Sequence, residues 1–203
     1  MKKALVLISI LLITACANKY NHNIGLHHHA MAMKYEKSGD YRKAERMYFE
    51  AFMHSRLGHP PPSGYSTAYY NLGRVKGYLC KNSEAEKLLL EAVELEQTAN
   101  GSESSTITKY FLELARFYFD NGMYESSAPY YSRGISMTRK YGAEEDDPIA
   151  LAQIMNEYAS VLEEIGRSSE AEDIRNEAHN LKIKNPQKKA VNVPARYNRN
   201  CMG

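Results

Sequence analysis

The 203-residue chain has no tryptophan, although it has 16 tyrosines. Its three cysteines, Cys16, Cys80 and Cys201, are too few and too widely spaced for a zinc set or a dense disulfide framework. No apolar run approaches the ~20 residues that a spanning helix needs. No Gly-rich phosphate loop opens a helix, and neither a G-x-S-x-G elbow nor an H-E-x-x-H pair occurs. No catalytic, metal or cofactor constellation can be nominated. The formal charge of +2 gives no case for nucleic acid as a partner. Acidic residues are also missing from Asn185 onward, where Lys188, Lys189, Arg196 and Arg199 make a basic end.

What is present is repetition. Within Ile107 to Gly134, Tyr110, Phe111, Leu114, Phe117 and Tyr118 fall at helical spacing, Asp120-Asn121-Gly122 interrupts, and Tyr124, Ala128, Tyr131 and Ile135 resume. This predicts two helices folded back on each other. Gly39 is followed at fixed offsets by Ala44, Tyr48 and Ala51, and Gly122 by Ser127, Tyr131 and Gly134. Cys80 is followed likewise by Ala85, Leu89 and Ala92, and Gly166 by Ala171, Arg175 and Ala178. Successive intervals between Ala44, Ala85, Ser127 and Ala171 are 41, 42 and 44 residues, the mark of a repeat array. A small side chain at these positions lets the second helix approach the first, and glycine permits the positive φ of the intervening turn.

Expected helix pairs are 24–38 with 41–57, 65–80 with 82–99, 104–121 with 124–141, and 147–165 with 168–183. Ser83-Glu84, Ser102 and Ser168-Ser169 are candidate N-caps, and Pro60 to Pro62 and Pro148 punctuate loops between pairs. The domain is expected over 24–184. Beyond it periodicity stops, and 185–203 reads as a basic, flexible tail.

The spacing G-x-Y-x-x-[AS]-x-x-x-[YL]-x-x-[AG], preceded twelve residues before its small position by Gly73, Ala115 or Ala159, resembles the tetratricopeptide repeat. The period exceeds the 34 residues of the common form and is similar to the longer variety of kinesin light chains. The resemblance implies an all-α, right-handed superhelical solenoid of about four hairpins. It further implies that the first helices line a concave face holding a partner segment. Carried over by position, that face would present Tyr70, Asn71 and Arg74, then Lys109, Leu112 and Arg116, then Asn156 and Ser160. Asparagine can pair with peptide backbone, arginine with a carboxylate, and tyrosine offers flat apolar area.

Ahead of the repeats, Lys2 and Lys3 precede an apolar run from Ala4 to Ile13 broken by Ser9, a pattern that reads as a secretory signal over 1–15. Its end, Ile13-Thr14-Ala15-Cys16, resembles the bacterial lipoprotein box. That resemblance implies a diacylglycerol on Cys16, a lipidated tether over 16–23 and a membrane anchor without a spanning helix. Ala17 after the cysteine implies the outer membrane, facing the periplasm. The expected partner is then an envelope protein or peptide segment, such as part of a secretion, pilus or cell-wall complex. A second possibility assigns function to the tail, with Lys188 to Arg199 touching the cell wall or lipopolysaccharide while the repeats act as a spacer. In an oxidising compartment Cys80 and Cys201 could pair. Alternatively, Cys80 is a small buried hydrophobe and Cys201 is free or pairs between molecules. The histidines at 22 and 27–29 have no neighbouring acid or cysteine at ligand spacing, and His28 is expected to pack within the first hairpin. Glu144 to Asp147 is expected to sit at a solvated helix start.

Overall fold

The structure, a computed structural model, describes residues 2–58, 62–191, 195–197 and 201, with side chains from Lys19 onward apart from Pro62 and Ser63. The loop prolines at 60 and 61 and the side chain of Cys16 lie outside this set. The chain forms two compact units, Met1–Ala99 and Asn100–Gly203.

The first unit contains α1 (Lys2–Lys37), α2 (Tyr41–Gly58), α3 (Pro62–Tyr78) and α4 (Asn82–Asn100), the last residue of α4 falling at the boundary. The second contains α5 (Ser105–Asp120), α6 (Tyr124–Lys140), the single turn α7 (Ala143–Asp146), α8 (Pro148–Glu164) and α9 (Ser168–Lys184). All regular structure among the described residues is helical. The helices pair as α1 with α2, α3 with α4, α5 with α6, and α8 with α9, the order the repeat predicts.

All four turns are built the same way. Gly39, Gly122 and Gly166 have φ of 78°, 72° and 77°, and Cys80 takes the equivalent place with φ 62°. One residue further on, the amides of Asp40, Lys81, Met123 and Arg167 donate to the carbonyls of Tyr35, Lys76, Tyr118 and Leu162 at 3.0, 3.0, 2.9 and 2.8 Å. This six-to-one bond satisfies a carbonyl that the helix end would otherwise leave bare. A side chain in this left-handed conformation costs about 1–2 kcal/mol relative to glycine, so the second turn is the strained member. Cys80 is nevertheless disulfide-bonded, as is Cys201 in the second unit, which sets aside the free-thiol reading of either residue.

Small side chains meet where the helices cross. Ala32, Ala44, Ala85, Ala115, Ser127, Ala159 and Ala171 are all fully buried. At Gly73 a Cβ would come within 3.0 Å of Leu88 Cβ and 3.1 Å of Leu89, so α3 and α4 touch backbone to side chain there. Ser127 uses its hydroxyl within the same seam, donating to the carbonyl of Ala115 at 2.7 Å. Larger groups fill the remaining space. Tyr48, Phe52, Leu72 and Val75 make the core of the first unit, and Tyr131, Leu151, Met155, Tyr158 and Leu162 that of the second.

The structure differs from expectation at three local points. Helix α1 runs without interruption through 16–23, and Asn21 Oδ1 lies 3.1 Å from His54 Nδ1 on α2, so the far end of that tether belongs to the first hairpin. His28 stacks on His54 with centroids 5.7 Å apart, a packing role as expected. The cap of α5 is Ser104, which accepts from the Ile107 amide at 3.0 Å, two residues later than Ser102. The cap position of α9 is Arg167, one residue before Ser168, and makes no side-chain bond. The acidic run sits at solvated helix starts as expected, with Glu144 to Asp146 in the first turn of α7 and Asp147 capping α8 by accepting from the Ala150 amide at 3.0 Å.

Two substitutions separate backbone from packing. Ala171→Leu should cost about 1–3 kcal/mol by overfilling the α8/α9 seam. Gly122→Ala should cost about 1–2 kcal/mol from its positive φ alone, because a Cβ there meets nothing within 4 Å. Urea melts of both variants measure these losses.

Candidate functional site

The second unit gathers charge on one side of α5 and α8. Glu157 on α8 receives Arg116 from α5 at 3.2 Å, the Tyr131 hydroxyl from α6 at 2.8 Å and Arg196 from the C-terminal segment at 2.7 Å. The Arg116 side chain is only 5% exposed. Burial works against its charge, but Glu157, Tyr131 and Glu113 outweigh this and hold it firmly protonated. Burial, then the Glu157 charge, pushes the Tyr131 hydroxyl well above the ordinary phenol value, so it acts as a donor.

The segment reaching this face was expected to be flexible. It departs from that at Arg196 and Tyr197. Tyr197 is 3% exposed, its hydroxyl donates to Glu113, and its ring meets Phe117 edge to face at 5.4 Å. Its amide donates to Asp120 Oδ2 at 2.7 Å. The Arg196 guanidinium pairs with both Asp120 and Glu157 and lies 5.0 Å from the centre of the Phe119 ring. Nearer the end of α9, the Val191 amide donates to Asp147 at 3.2 Å and Lys188 donates to the Glu145 carbonyl. The segment docks through the side chains of Lys188, Arg196 and Tyr197 and the amides of Val191 and Tyr197.

Burial raises the Asp120 carboxyl, and the Tyr197 amide and Arg196 charge pull it part of the way back. Because it titrates above its ordinary value, its contribution to stability is complete below that value and is lost as the pH rises through the raised one.

The first unit repeats part of this arrangement. Glu36 on α1 receives a bidentate Arg74 from α3, with Nη2 to Oε2 at 2.9 Å, and the Tyr48 hydroxyl from α2 at 2.7 Å. Arg74 and Arg116 each follow the small residue of their first helix, and Tyr48 and Tyr131 each lie four beyond the small residue of their second. A cavity of about 560 Å³ elsewhere in this unit is lined by Arg42, Glu45, Arg46, Phe49, Lys76, Leu79 and Lys81. Its lysines are engaged, since Glu45 accepts from Lys76 at 2.9 Å and from Lys81 at 2.7 Å.

Residues assigned to a groove by position are placed in several different ways. Tyr70 and Asn71 are buried at 2% and 6% exposure, and the Arg74 guanidinium lies 5.4 Å from the Tyr70 ring while it pairs with Glu36. Leu112 packs against Gly134, where a Cβ would overlap it, so it serves the α5/α6 seam. Asn156 and Ser160 bond to backbone on their own helix, at Ala152 and Asn156. Lys109 is exposed. Arg116 shares an acceptor with the docked segment, because Glu157 of α8 receives both Arg116 and Arg196. Glu113, Asp120 and Glu157 were not foreseen. The only sequence signal for them is three carboxylates on first helices of adjacent repeats. Among the described residues no group of three His, Cys, Asp or Glu could hold a metal.

The hairpins define a class of fold, the all-α array of tetratricopeptide-like repeats. BtubC (BKLC) from P. vanneervenii has the same fold, with a TM-score of 0.72 and 20% identity over 83% of this chain; the chain spans 66% of the length of that protein. A putative kinesin light chain from Podosopora anserina with nearly identical TPR-like repeats matches at TM-score 0.63 and 17% identity, covering 81% of this chain and 77% of that one. Neither a protein-family profile nor a curated protein sequence matches the chain.

Two measurements test the charge cluster. Glu157→Ala strands the buried Arg116 and should destabilise the protein by about 3 kcal/mol in chemical denaturation. Arg196→Ala removes one of the influences holding Asp120 down. Its carboxyl should then titrate higher still by carbon NMR, and the stability deficit of the variant should shrink as the pH falls through the carboxylate range.

Proposed function

We propose that this chain is a noncatalytic adaptor of the bacterial envelope, anchored through lipid on Cys16, whose helical hairpins hold an extended segment of another envelope protein. The observation that carries the binding role is Arg196-Tyr197 itself. Two consecutive residues without helical structure are held against α5 and α8 by a main-chain amide, an aromatic contact and charged side chains. That is how a peptide ligand is held. The shared fold supports the same reading, because stacked hairpins offer a continuous face to a partner.

The anchor rests on Lys2-Lys3, the apolar run to Ile13 and Ala15-Cys16. No helix among the described residues is long and apolar enough to cross a membrane, and acyl chains on one cysteine supply attachment without a span. Outer-membrane placement facing the periplasm follows from Ala17. Disulfide bonding of Cys80 and Cys201 supports an oxidising compartment. The polymer-contacting tail is the weaker reading, because Arg196 and Lys188 already have partners within the unit.

Cys16→Ser should abolish incorporation of labelled palmitate and move the protein from the membrane to the soluble fraction of its bacterial host. Crosslinking in cells should capture a discrete envelope protein with the native chain; capture of none would overturn the adaptor role.

A further inference from the structure

The docked C-terminal segment describes its own replacement. We propose that the α5/α8 face is a receptor for an extended segment carrying arginine followed by an aromatic residue, and that Arg196-Tyr197 occupies it until such a segment displaces it. This rests on the binding role above and names the chemistry of the partner.

Each feature of the seat selects for that pair. Glu113, Asp120 and Glu157 share the face with Arg116, so the cluster is acidic before the segment arrives. Asp120 and Glu157 flank a single guanidinium, and the Phe119 ring lies beside it. A planar, forked cation uses both carboxylates and the ring at once, which a lysine ammonium cannot do. The neighbouring slot is lined by Phe117 and closed by buried Glu113, which accepts the Tyr197 hydroxyl. An aliphatic side chain there would forfeit the hydrogen bond to that buried carboxylate. The Tyr197 amide bonded to Asp120 fixes the path of the backbone past the seat. The pairing is one of complementary charge and shape.

The segment also has the marks of an occupant held by tethering. It is fixed on one side by the Val191 amide on Asp147 and on the other by the disulfide of Cys201, four residues past Tyr197. A ligand tethered this closely has an effective concentration of about millimolar. A free segment of equal intrinsic affinity therefore binds the native chain poorly. It binds well where the resident pair is removed.

The test uses the full chain and a fluorescent peptide of sequence VPARYNR, which reproduces residues 193–199. Anisotropy should show the R196A/Y197A chain binding this peptide about a hundred-fold more tightly than the native chain. Peptides with the arginine or tyrosine replaced by alanine should bind neither. Equal affinity for both chains, or no binding to a double variant with native circular dichroism, overturns the proposal. If the double variant does not fold, Tyr197→Phe serves. It keeps the ring and removes the bond to Glu113, so binding should strengthen, and native-like weak binding overturns the proposal. A concentration-dependent dimer of the native chain that becomes monomeric in R196A/Y197A would give the seat to a second copy and overturn occupancy within one chain. A crosslinked envelope partner without an arginine–aromatic segment would overturn the partner chemistry and leave the adaptor role intact. A peptide that binds as expected, with no partner captured in cells, would do the reverse.

Discussion

Each hairpin depends on how closely two helices can approach, and that distance is set by one small residue from each. Ala32 and Ala44, Ala115 and Ser127, and Ala159 and Ala171 are the small residues of three hairpins, and in the remaining one Gly73 lies against Leu88 and Leu89. With side chains this small the backbones come near enough for the Ser127 hydroxyl to reach a carbonyl on the opposing helix. Tyrosines and leucines then pack above and below, which is how a chain without tryptophan builds the core of each unit from residues of middling size. Helices this close can be joined by a connection only a few residues long, and each hairpin uses one.

Charge is placed with equal economy. In each unit one carboxylate, Glu36 or Glu157, collects an arginine from one neighbouring helix and a tyrosine hydroxyl from another. Buried ion pairs of this kind add little net stability over apolar packing, but a broken one is expensive. Their effect is to penalise helices stacked out of step, because a displaced arginine would lose its acceptor. In the second unit this cluster does double duty, since its spare oxygen on Glu157 meets Arg196. Helix stacking and segment recognition thus draw on one carboxylate.

The hairpins could be read from the chain because their determinants are local. A glycine, a small residue five later and an aromatic or leucine four beyond that all act within one turn and one helix, and the four turns share the same six-to-one bond although Arg175 stands at the last of these positions in the final repeat. Cys80 shows that the pattern tolerates another residue where glycine is expected, at a cost in strain. The binding face was harder to read, because burial there is decided between repeats. Arg116 stands where a groove residue would stand. Glu157, 41 positions away, makes it part of the interior. Tyr70 and Asn71 are buried for a similar reason, by neighbours their own sequence does not reveal. The seating of Arg196 and Tyr197 left no periodic trace, since a non-helical dipeptide has none. A basic end beside acidic helices was visible, but its geometry was not.

Sequence separation adds an entropic consequence. The bond between Ser127 and Ala115 closes over 12 residues, whereas those from Tyr197 to Asp120 and Glu113 close over 77 and 84. Loop-closure entropy grows with the length closed, and the docking surface exists only after α5 and α8 have packed. Docking of the C-terminal residues therefore costs more chain entropy than closing a hairpin and depends on hairpins already in place. Opening this face requires none of the hairpins to melt, so the chain can exchange what it holds while its scaffold stays intact.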